Sequence, residues 1–470
     1  MVMAQNFVGA DRDQVFLLPP SLRDWLPEDH LAWWVVDAVA AMDLAAFYGR
    51  YRADGHGRPA YDPAVLVAVL LYAYAIGERS ARRIERRCVE DVAFRVLAGN
   101  LAPDHVTICR FRAEHQDALA GLFGQVLSLC ARAGMVQVGT LAVDGTRIAA
   151  NASRDATVDY EQLARTMLEQ AAEVDAAEDE QFGDRRGDEL PEQLTTRHGR
   201  REWLREAVRE LEEERAAAGE PVKRDRGPRL REAKRRMDEE LWAQQRANDA
   251  YEAWRARGIS ADGSGRMARG SLRPFVMPTV PEGTINMTDP DSRVVPNRRG
   301  FMQGYTAQAV STEAQIVVCA EVICGGNERA TLQGLICQSE RELVTAGVSD
   351  PVTVALADAG FWNTEHIQTL TANGIRTLVS PDNRRRKTPG KTRVNQQHYI
   401  QMREELASDE GGALYKKRKT MIEPIFGQIK HNRRIDRFTR RGLAACRAEW
   451  KLVMATHNLL KLYNHQTATA

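Results

Sequence analysis

Three acidic residues stand at positions where a carboxylate could bind a metal ion. Asp144 follows the apolar, β-branched segment 136–143, Asp358 follows a second such segment at 352–357, and Glu423 lies on a later segment with an apolar face. An Asp beside a Gly is often only a turn former, so each aspartate alone is a weak signal. Three converging carboxylates repel one another unless cations neutralise them. Two Mg²⁺ ions about 3.5–4 Å apart would do so, and such a pair can activate an attacking oxygen and stabilise a leaving oxygen in phosphodiester displacement.

Glu423 lies in the basic stretch YKKRKTMIEPIFGQIK, which covers 415–430. Apolar residues recur in it at helical spacing, which predicts a helix with one face on a core. An ordinary amphipathic surface helix would show the same pattern. Pro424 disfavours α geometry at Glu423 and predicts a helix that starts or kinks there, with Lys430 close to two turns further on. The cations around Glu423 suit work on a polyanion, and they are Lys416, Lys417, Arg418, Lys419 and Lys430.

The 470 residues are enough for two or three domains with substantial cores. A formal net charge of +1 gives no global argument for nucleic acid, but 159–184 is strongly acidic whereas 384–393 and 416–441 are strongly basic. The seven cysteines form no C-x-x-C pair, which favours free thiols over a disulfide frame or a zinc site. Neither a signal pattern nor a run of about 18 apolar residues occurs, so we expect a soluble intracellular protein with no membrane segment.

Residues 1–133 carry helical patterns, with Asp62-Pro63 and Ser80 as helix starts and Gly77 as an interruption. Short helices broken by tight turns suit a helix-turn-helix-like module whose cations contact phosphates. An ordinary helical bundle would look much the same, so both interpretations stay open. The cations concerned are Arg79, Arg82, Arg83, Arg86, Arg87, His105, Arg110 and Arg112.

Residues 155–283 change abruptly to long charged stretches of helix-forming residues, followed by a Gly-, Ser- and Pro-rich loop at about 258–283. This composition predicts a helical, coiled-coil-like insertion. A solvated surface is our default interpretation of its charges, although an arm of this kind could also pair two protomers.

The rest of the chain predicts a mixed sheet. Strands at about 304–310 and 315–323, joined by a short polar link, indicate an antiparallel hairpin. A helix at 327–346 and the strand 352–357 follow. A helix from Asn363 or Thr364 to Gly374 and a strand at 375–379 then predict a right-handed parallel crossover, and hence the α/β class.

With these residues in place, the chain resembles DDE transposases of bacterial insertion sequences, of the branch with a Tyr-Arg-Glu-Lys signature around its last acidic residue. The resemblance is carried by Asp144 in AVDGTRIAANAS, Asp358 in ALADAGFWN, and Glu423 with Lys430 in the basic stretch. The segments DPAVLVAVLLYAYAIGERSARRIERRC, PDHVTICRFRAEH and GYTAQAVST extend it.

The resemblance implies a ribonuclease-H-like mixed-sheet core and an all-α N-terminal domain. The domains would be an N-terminal helical DNA-binding domain at 1–133, a catalytic domain formed by 134–154 and 284–470, and the charged insertion and loop at 155–283.

By the same resemblance, Asp144, Asp358 and Glu423 would be the catalytic, metal-binding triad. Two Mg²⁺ ions would be the cofactor, and Mn²⁺ could substitute. Tyr415, Arg418 and Lys430 would hold DNA near the cut. The family signature has three residues between its Arg and its Glu, whereas four lie between Arg418 and Glu423 here. Lys419 has the expected spacing, so either cation could take the arginine's role.

Basic residues continue beyond this signature and form a plausible DNA track, with a solvated basic face as the alternative. They are Arg433, Arg434, Arg437, Arg440 and Arg441, and the loop 383–393 is a second basic run. Both runs predict a DNA affinity that falls steeply with salt.

The expected function is therefore a DNA transposase that binds terminal inverted repeats and performs Mg-dependent strand cleavage and strand transfer. Its partners would be double-stranded DNA of the transposon ends and the target, and a second copy of the chain, because two ends must be processed together. The expected location is the cytoplasm of a bacterium, in association with the nucleoid. The alternatives are a two-metal DNA nuclease without strand transfer and a catalytically inactive DNA-binding regulator.

Overall fold

The computed structural model describes residues 21–51, 60–182, 227–256, 283–297, 300–382 and 397–469. The chain divides into two compact units, the first formed by Met1–Asn151 with Val294–Ala470 and the second by Ala152–Arg293. The N-terminal helices and most of the main sheet belong to the first unit.

Helices and strands are numbered here in chain order within the described residues. The helices are α1 (Leu31–Ala40), α2 (Ala45–Tyr48), α3 (Pro63–Ala75), α4 (Ala81–Glu90), α5 (Val92–Leu97), α6 (His105–Glu114), α7 (Gln116–Arg132), α8 (Tyr160–Phe182), α9 (Gly227–Ala256), α10 (Leu332–Thr345), α11 (Thr364–Ala372), α12 (Gln397–Ala407), α13 (Asp409–Gly427) and α14 (Leu443–Thr469). The strands are β1 (Thr140–Ala149), β2 (Thr157–Asp159), β3 (Thr284–Asn286), β4 (Arg293–Asn297), β5 (Gly300–Ser311), β6 (Val317–Cys324), β7 (Val354–Ala357) and β8 (Arg376–Val379). No helix in the described parts of the chain is long and apolar enough to cross a membrane.

Six strands form one mixed sheet in the order β4-β5-β1-β7-β8, with β6 also paired to β5. Strand β1 lies antiparallel to β5 and parallel to β7, and β7 lies parallel to β8. The α11 helix connects the parallel strands β7 and β8, because parallel neighbours need a crossover. The predicted α/β class is confirmed, with a helical N-terminal region and a mixed sheet consistent with a ribonuclease-H-like core.

Strand β1 differs from the segment that the sequence predicted at 136–143. It starts at Thr140 and runs through Asp144 to Ala149. The reason is that β5 continues to pair with it as far as Ala149↔Gly304, although its parallel pairing with β7 ends at Val143↔Ala357. Asp144 therefore lies within a strand, just beyond the point where one of its two neighbouring strands stops.

Helix α3 packs between the N-terminal helices and the C-terminal part of the first unit. It is apolar around almost its whole circumference and buried from Leu66 to Ala75, as expected of a helix surrounded by others. It packs against α1 and α14, and α7 also packs along α14. Gly77 ends it with φ +85°, and a Cβ there would lie 2.4 Å from Arg433 O. Only glycine allows both that backbone conformation and that close approach.

The second unit is a pair of charged helices on a small core. Helices α8 and α9 contact each other, and β2 pairs antiparallel with β3. The core is one compact cluster, formed by Leu163, Leu230, Ala233, Met237 and Ile285. Ion pairs along α9, such as Lys234–Asp238 at 2.7 Å, join partly exposed residues one turn apart, so they add little to stability. The predicted helical character of the insertion is therefore observed where it is described.

The predicted free thiols are confirmed: all seven cysteines lie in the described residues, and none of them forms a disulfide there. Cys88, Cys130, Cys319 and Cys446 are buried. Burial raises the pKa of Cys130 to about 12, so this thiol stays protonated and behaves as a small apolar side chain.

A buried histidine makes the stability of the first unit depend on pH. His457, on α14, lies 3.0 Å from Gln315 O through Nε2 and 3.2 Å from Gln428 Oε1 through Nδ1. Burial lowers the pKa of His457 from 6.5 to about 4, and the nearby charges of Arg433 and Lys461 add to this shift. The unfolded chain therefore takes up this proton near pH 6.5, whereas the folded chain does so only near pH 4.

The stabilising contribution of neutral His457 is present at pH 7 and is lost as the pH falls through this window, by about 2 kcal/mol at pH 5. We predict that His457→Gln flattens the loss of unfolding free energy between pH 7 and pH 5, as measured by urea unfolding. His431→Gln, at an exposed histidine, is the matched control and should keep the wild-type pH dependence. Equal slopes for the two variants would contradict the prediction.

Candidate active site

Asp144 and Asp358 lie side by side because of the register of β1 and β7. The last parallel pair of these strands is Val143↔Ala357, and the next residue of each chain segment is the aspartate. Each carboxylate accepts a hydrogen bond from the following loop or strand, Asp144 Oδ1 from Gly145 N at 2.7 Å and Asp358 Oδ1 from Gly360 N at 2.8 Å. The structure therefore brings together these two members of the predicted triad.

The carboxylate of Asp144 is mostly buried and therefore poorly hydrated. Its side chain is only 17 % exposed. Burial raises the pKa of Asp144 from 3.8 to about 6; the guanidinium of Arg418 opposes this shift and the negative charge of Asp358 adds to it. Two adjacent carboxylates with one opposing cation are an incompletely neutralised group, which is the situation in which a further cation binds favourably.

Helix α13 carries the third acidic residue across this end of the sheet. Of the two predicted alternatives, a helix that starts or one that kinks at Glu423, the first is wrong. The helix begins at Asp409, with Ser408 as its cap, and continues through Pro424 to Gly427. Pro424 has no N–H for the carbonyl of Thr420, one turn earlier. The side chain of Gln315 donates to that carbonyl instead, at 2.8 Å, so the helix tolerates the proline.

Arg418 lies between the two aspartates and Glu423. Its Nη1 donates to Asp144 Oδ2 at 2.8 Å, and its Nη2 lies 3.8 Å from Glu423 Oε1. Arg418 is buried, and its Nε has no hydrogen-bond partner among the described residues. Lys419 is exposed one turn before Glu423. Of the two cations that could take the family's arginine role, Arg418 is therefore the one that faces the aspartates.

Tyr415 lies on the same helix, one turn before Arg418. Its hydroxyl donates to Ala357 O at 3.2 Å, the carbonyl that immediately precedes Asp358. Burial raises the pKa of Tyr415, so its phenol stays protonated and remains a donor. The structure therefore places Tyr415 at the aspartates, with its hydroxyl bonded to the protein backbone.

Of the three carboxylates that were predicted to converge, only those of Asp144 and Asp358 lie side by side. Glu423 is about half exposed, with 53 % of its side chain accessible, and it reaches Asp144 only through Arg418. In the described parts of the chain, no three side chains from His, Cys, Asp and Glu lie close enough together to hold a metal ion. Even so, the donors at this end of the sheet are carboxylate oxygens, the ligands preferred by Mg²⁺, and the unpartnered Arg418 Nε shows that the hydrogen bonding of the site is incomplete.

A fourth carboxylate, which the sequence analysis did not single out, lies next to Asp358 and against Gly145, the residue after Asp144. Glu328 is in the loop between β6 and α10, and 12 % of its side chain is exposed. Both its oxygens accept from Arg147, each at 3.2 Å. Burial raises the pKa of Glu328; Arg147 opposes that shift, and the charge of Asp358 adds to it. The segment GGNERATL, which contains Glu328, has no motif that would mark this residue as part of a site. The one feature of the sequence that bears on it is the glycine that follows each aspartate closely.

The downstream arginines divide into buried and exposed residues. Arg433, predicted as a DNA contact, is only 5 % exposed, and its guanidinium donates to Tyr74 O at 2.7 Å and Thr456 Oγ1 at 2.5 Å. The prediction for Arg433 as a surface contact is therefore wrong, because the residue joins α3 to α14. Arg434 and Arg437 are exposed.

Two other predicted basic sites have different outcomes. Lys430 Nζ donates to Arg147 O at 2.7 Å, so the ammonium of Lys430 is tied to strand β1 close to the aspartates. The basic loop at 383–393 lies outside the described residues.

The N-terminal cations divide in the same way. Arg79 and Arg112 are held inside, Arg79 by Glu449 at 3.0 Å and Arg112 by Arg79 O at 2.9 Å. The exposed members lie mainly along one side of α4, and they are Arg82, Arg83, Arg86 and Arg110.

Two family models match the chain at its two ends. One is described as a transposase domain (DUF772) and matches residues 20–114; the other is described as a transposase DDE domain and matches residues 379–463. Both matches support the resemblance of the chain to DDE transposases of insertion sequences. The DDE match includes Glu423 and Lys430 but neither Asp144 nor Asp358, whose assignment depends on the geometry above. Neither the search of curated proteins nor that of solved structures returned a match.

The burial of Arg433 leads to a prediction about stability. Arg433→Gln removes the guanidinium hydrogen bonds to Tyr74 O, Val453 O and Thr456 Oγ1, and a hydrogen bond made by a charged group contributes about 1.5–3 kcal/mol to stability. We therefore expect a clear fall in the urea midpoint of unfolding. Arg434→Gln, at the exposed neighbouring residue, is the matched control and should change the midpoint little. If the two variants were equally stable, the structural role of Arg433 would be wrong.

Proposed function

We propose that this transposase binds the terminal inverted repeats of its element, cleaves the DNA strands at those ends and joins the resulting 3′-OH to target DNA. The observation that carries the proposal is the pairing of Asp144 and Asp358 in adjacent strand positions, faced by the helix that carries Arg418 and Glu423. The family supports a DDE-type enzyme acting on DNA, and the individual steps are our proposal.

The proposed cofactor is a pair of Mg²⁺ ions, with Mn²⁺ able to substitute. Asp144 and Asp358 would hold the cations, and Glu423 would complete the site. Cations bound there would lower the pKa of an attacking water or hydroxyl and neutralise the charge on the leaving oxygen.

The role of Arg418 follows from what it contacts. Its guanidinium neutralises Asp144 and reaches toward Glu423, and it keeps an unused Nε–H. A guanidinium can bind a phosphate through two parallel hydrogen bonds. We infer that Arg418 leaves Asp144 when cations arrive and turns to the phosphate beside the cut, which would let Glu423 approach the aspartates.

Tyr415 and Lys430 would act as supports for the same site. Tyr415 bonds to the carbonyl that precedes Asp358, and Lys430 bonds to the carbonyl of Arg147. Both hydrogen bonds would thus help to fix the backbone around the acidic residues.

The proposed DNA surface consists of exposed cations from two regions. Those near the acidic site are Lys416, Lys419, Arg434 and Arg437, and those of α4 are Arg82, Arg83 and Arg86. Since two ends are processed together, the active form would be a homodimer in the DNA complex. The charged insertion is a candidate for contacts between protomers.

One observation favours a second candidate, an inactive DNA-binding regulator. Arg418 occupies the position between Asp144 and Glu423, and a guanidinium that could not leave would prevent the three carboxylates from sharing cations. Metal-dependent cleavage by the purified protein would exclude this candidate. Cleavage without strand-transfer products would instead favour a two-metal nuclease.

The proposed chemistry predicts the effect of neutralising the acidic residues. Asp358→Asn and Glu423→Gln should each lower cleavage and joining of end DNA by about 1,000-fold in Mg²⁺ or Mn²⁺, because each removes a charge worth several kcal/mol in the transition state. Glu313→Gln, at an exposed carboxylate paired with Lys417 at 3.0 Å, is the control and should stay near wild type. Wild-type rates for either site variant would overturn the assignment.

The DNA surface predicts a salt dependence. Replacing both Arg434 and Arg437 by Gln should weaken binding to any DNA sequence and reduce the slope of log affinity against log salt by about 2, or about 1 per lost phosphate contact. Titrations of end DNA between 50 and 200 mM salt would measure it. Arg341→Gln, at an exposed arginine of α10, is the control. An unchanged slope in the double variant would exclude these residues from the DNA surface.

A further inference from the structure

Glu328 occupies a space that the two aspartate segments leave open. A Cβ on Gly145 would lie 2.0 Å from Glu328 Oε1, and a Cβ on Gly360 would lie 3.1 Å from Glu328 Oε2 and 2.9 Å from Asp358 Oδ1. Any side chain at these positions would therefore collide with the carboxylate or displace it. Gly145 and Gly360, which follow the two aspartates, thus leave the space next to Asp358 that the side chain of Glu328 occupies.

The loop that carries Glu328 is held on both sides. Glu328 O accepts from Thr331 Oγ1 at 2.9 Å at the start of α10, and Thr306 Oγ1 on β5 donates to Gly325 O at 2.5 Å. Asn363, the cap of α11, donates to Arg329 O at 3.3 Å. The carboxylate is therefore positioned by the backbone, and its location does not depend only on its pairing with Arg147.

The charges at this end of the sheet are arranged as two arginine–carboxylate pairs around Asp358. Arg418 neutralises Asp144 from α13, and Arg147 neutralises Glu328 from β1. Arg147 also donates to Thr306 Oγ1 at 2.6 Å, a neutral partner that would remain if the guanidinium released Glu328. Each guanidinium thus bonds to a carboxylate that has further oxygen lone pairs available for a hard cation.

Building on the proposed function, we propose that Glu328 is a fourth carboxylate of the divalent-cation site, and that Arg147 competes with the cation for it. In the absence of the cation, Arg147 compensates the charge of Glu328. With a cation present, Glu328 would supply a further oxygen ligand beside Asp358.

Glu328 would strengthen cation binding and Arg147 would weaken it. The direction in which each variant changes the affinity for Mn²⁺ therefore tests the proposal. Mn²⁺ alone would be titrated into the full-length protein, and its dissociation constant measured by calorimetry and by the electron paramagnetic resonance signal of free Mn²⁺. The double variant Glu328→Gln with Arg147→Gln keeps the volume and the neutrality of the pair, so it avoids an unpaired buried charge. It should bind Mn²⁺ at least about tenfold more weakly than wild type. Arg147→Gln alone should bind Mn²⁺ more tightly, because the competing cation is gone.

A purely structural ion pair gives a different pattern. Arg147→Gln alone would then weaken Mn²⁺ binding or leave it unchanged, and the double variant would match wild type. Either result would overturn the proposal.

Asp358→Asn separates this inference from the proposed function, with Glu313→Gln as the control for loss of an unrelated carboxylate. If Asp358→Asn weakens Mn²⁺ binding and the double variant does not, only the role of Glu328 is wrong. If wild type binds no Mn²⁺, or Asp358→Asn binds it as wild type does, the metal site and this inference both fail.

Discussion

The repulsion between two carboxylates that strand pairing forces together is the constraint on which this structure depends. Asp144 and Asp358 cannot separate without breaking the parallel pairing of β1 and β7, which lies in the middle of the sheet. Their charges must therefore be compensated from outside the two strands. Arg418 on α13 forms an ion pair with Asp144, and Arg147 forms one with the third buried carboxylate, Glu328. Any metal chemistry at this site would exchange these guanidinium contacts for cation contacts.

The exchange of guanidinium contacts for cation contacts has to take place mainly through side-chain movement, because helix α13 is hydrogen-bonded to the β5–β6 hairpin. Ser311 Oγ donates to Met421 O at 3.1 Å, and Gln315 donates to the carbonyl freed by Pro424. These bonds hold the backbone of the turn just before Glu423, while its carboxylate remains half exposed and lies 3.8 Å from Arg418 Nη2. Arg418 and Glu423 have unbranched side chains with several rotamers, so a rearrangement of these two side chains does not require the helix to move.

The sequence predicted those parts of the site that local patterns determine. The strand before Asp358, the crossover that makes β7 and β8 parallel, and the cap at Asn363 follow from apolar, β-branched runs, turn residues and capping preferences. The strand before Asp144 was predicted to end at 143, because its pairing with β5 as far as Ala149 is a long-range contact. The helix was predicted to start or kink at Glu423, because Gln315, which donates to the carbonyl freed by Pro424, is 105 residues away from Thr420 along the chain. Arg433 and Glu328 were misjudged or missed for the same reason, since neither a buried arginine nor a cradle of two glycines has a local signature.

The strand that carries Asp144 also sets where the basic segment lies. At its carboxyl end, Ala149 N donates to Asp436 O at 2.9 Å and Phe438 N donates to Ala149 O at 2.8 Å, so the chain around Arg437 is tied to β1. Five residues of extended strand separate Asp144 from Ala149, a distance of about 16 Å. The exposed Arg437 is therefore carried by a segment that is fixed to the same strand as Asp144, so the position of this basic segment relative to the aspartates is set by β1.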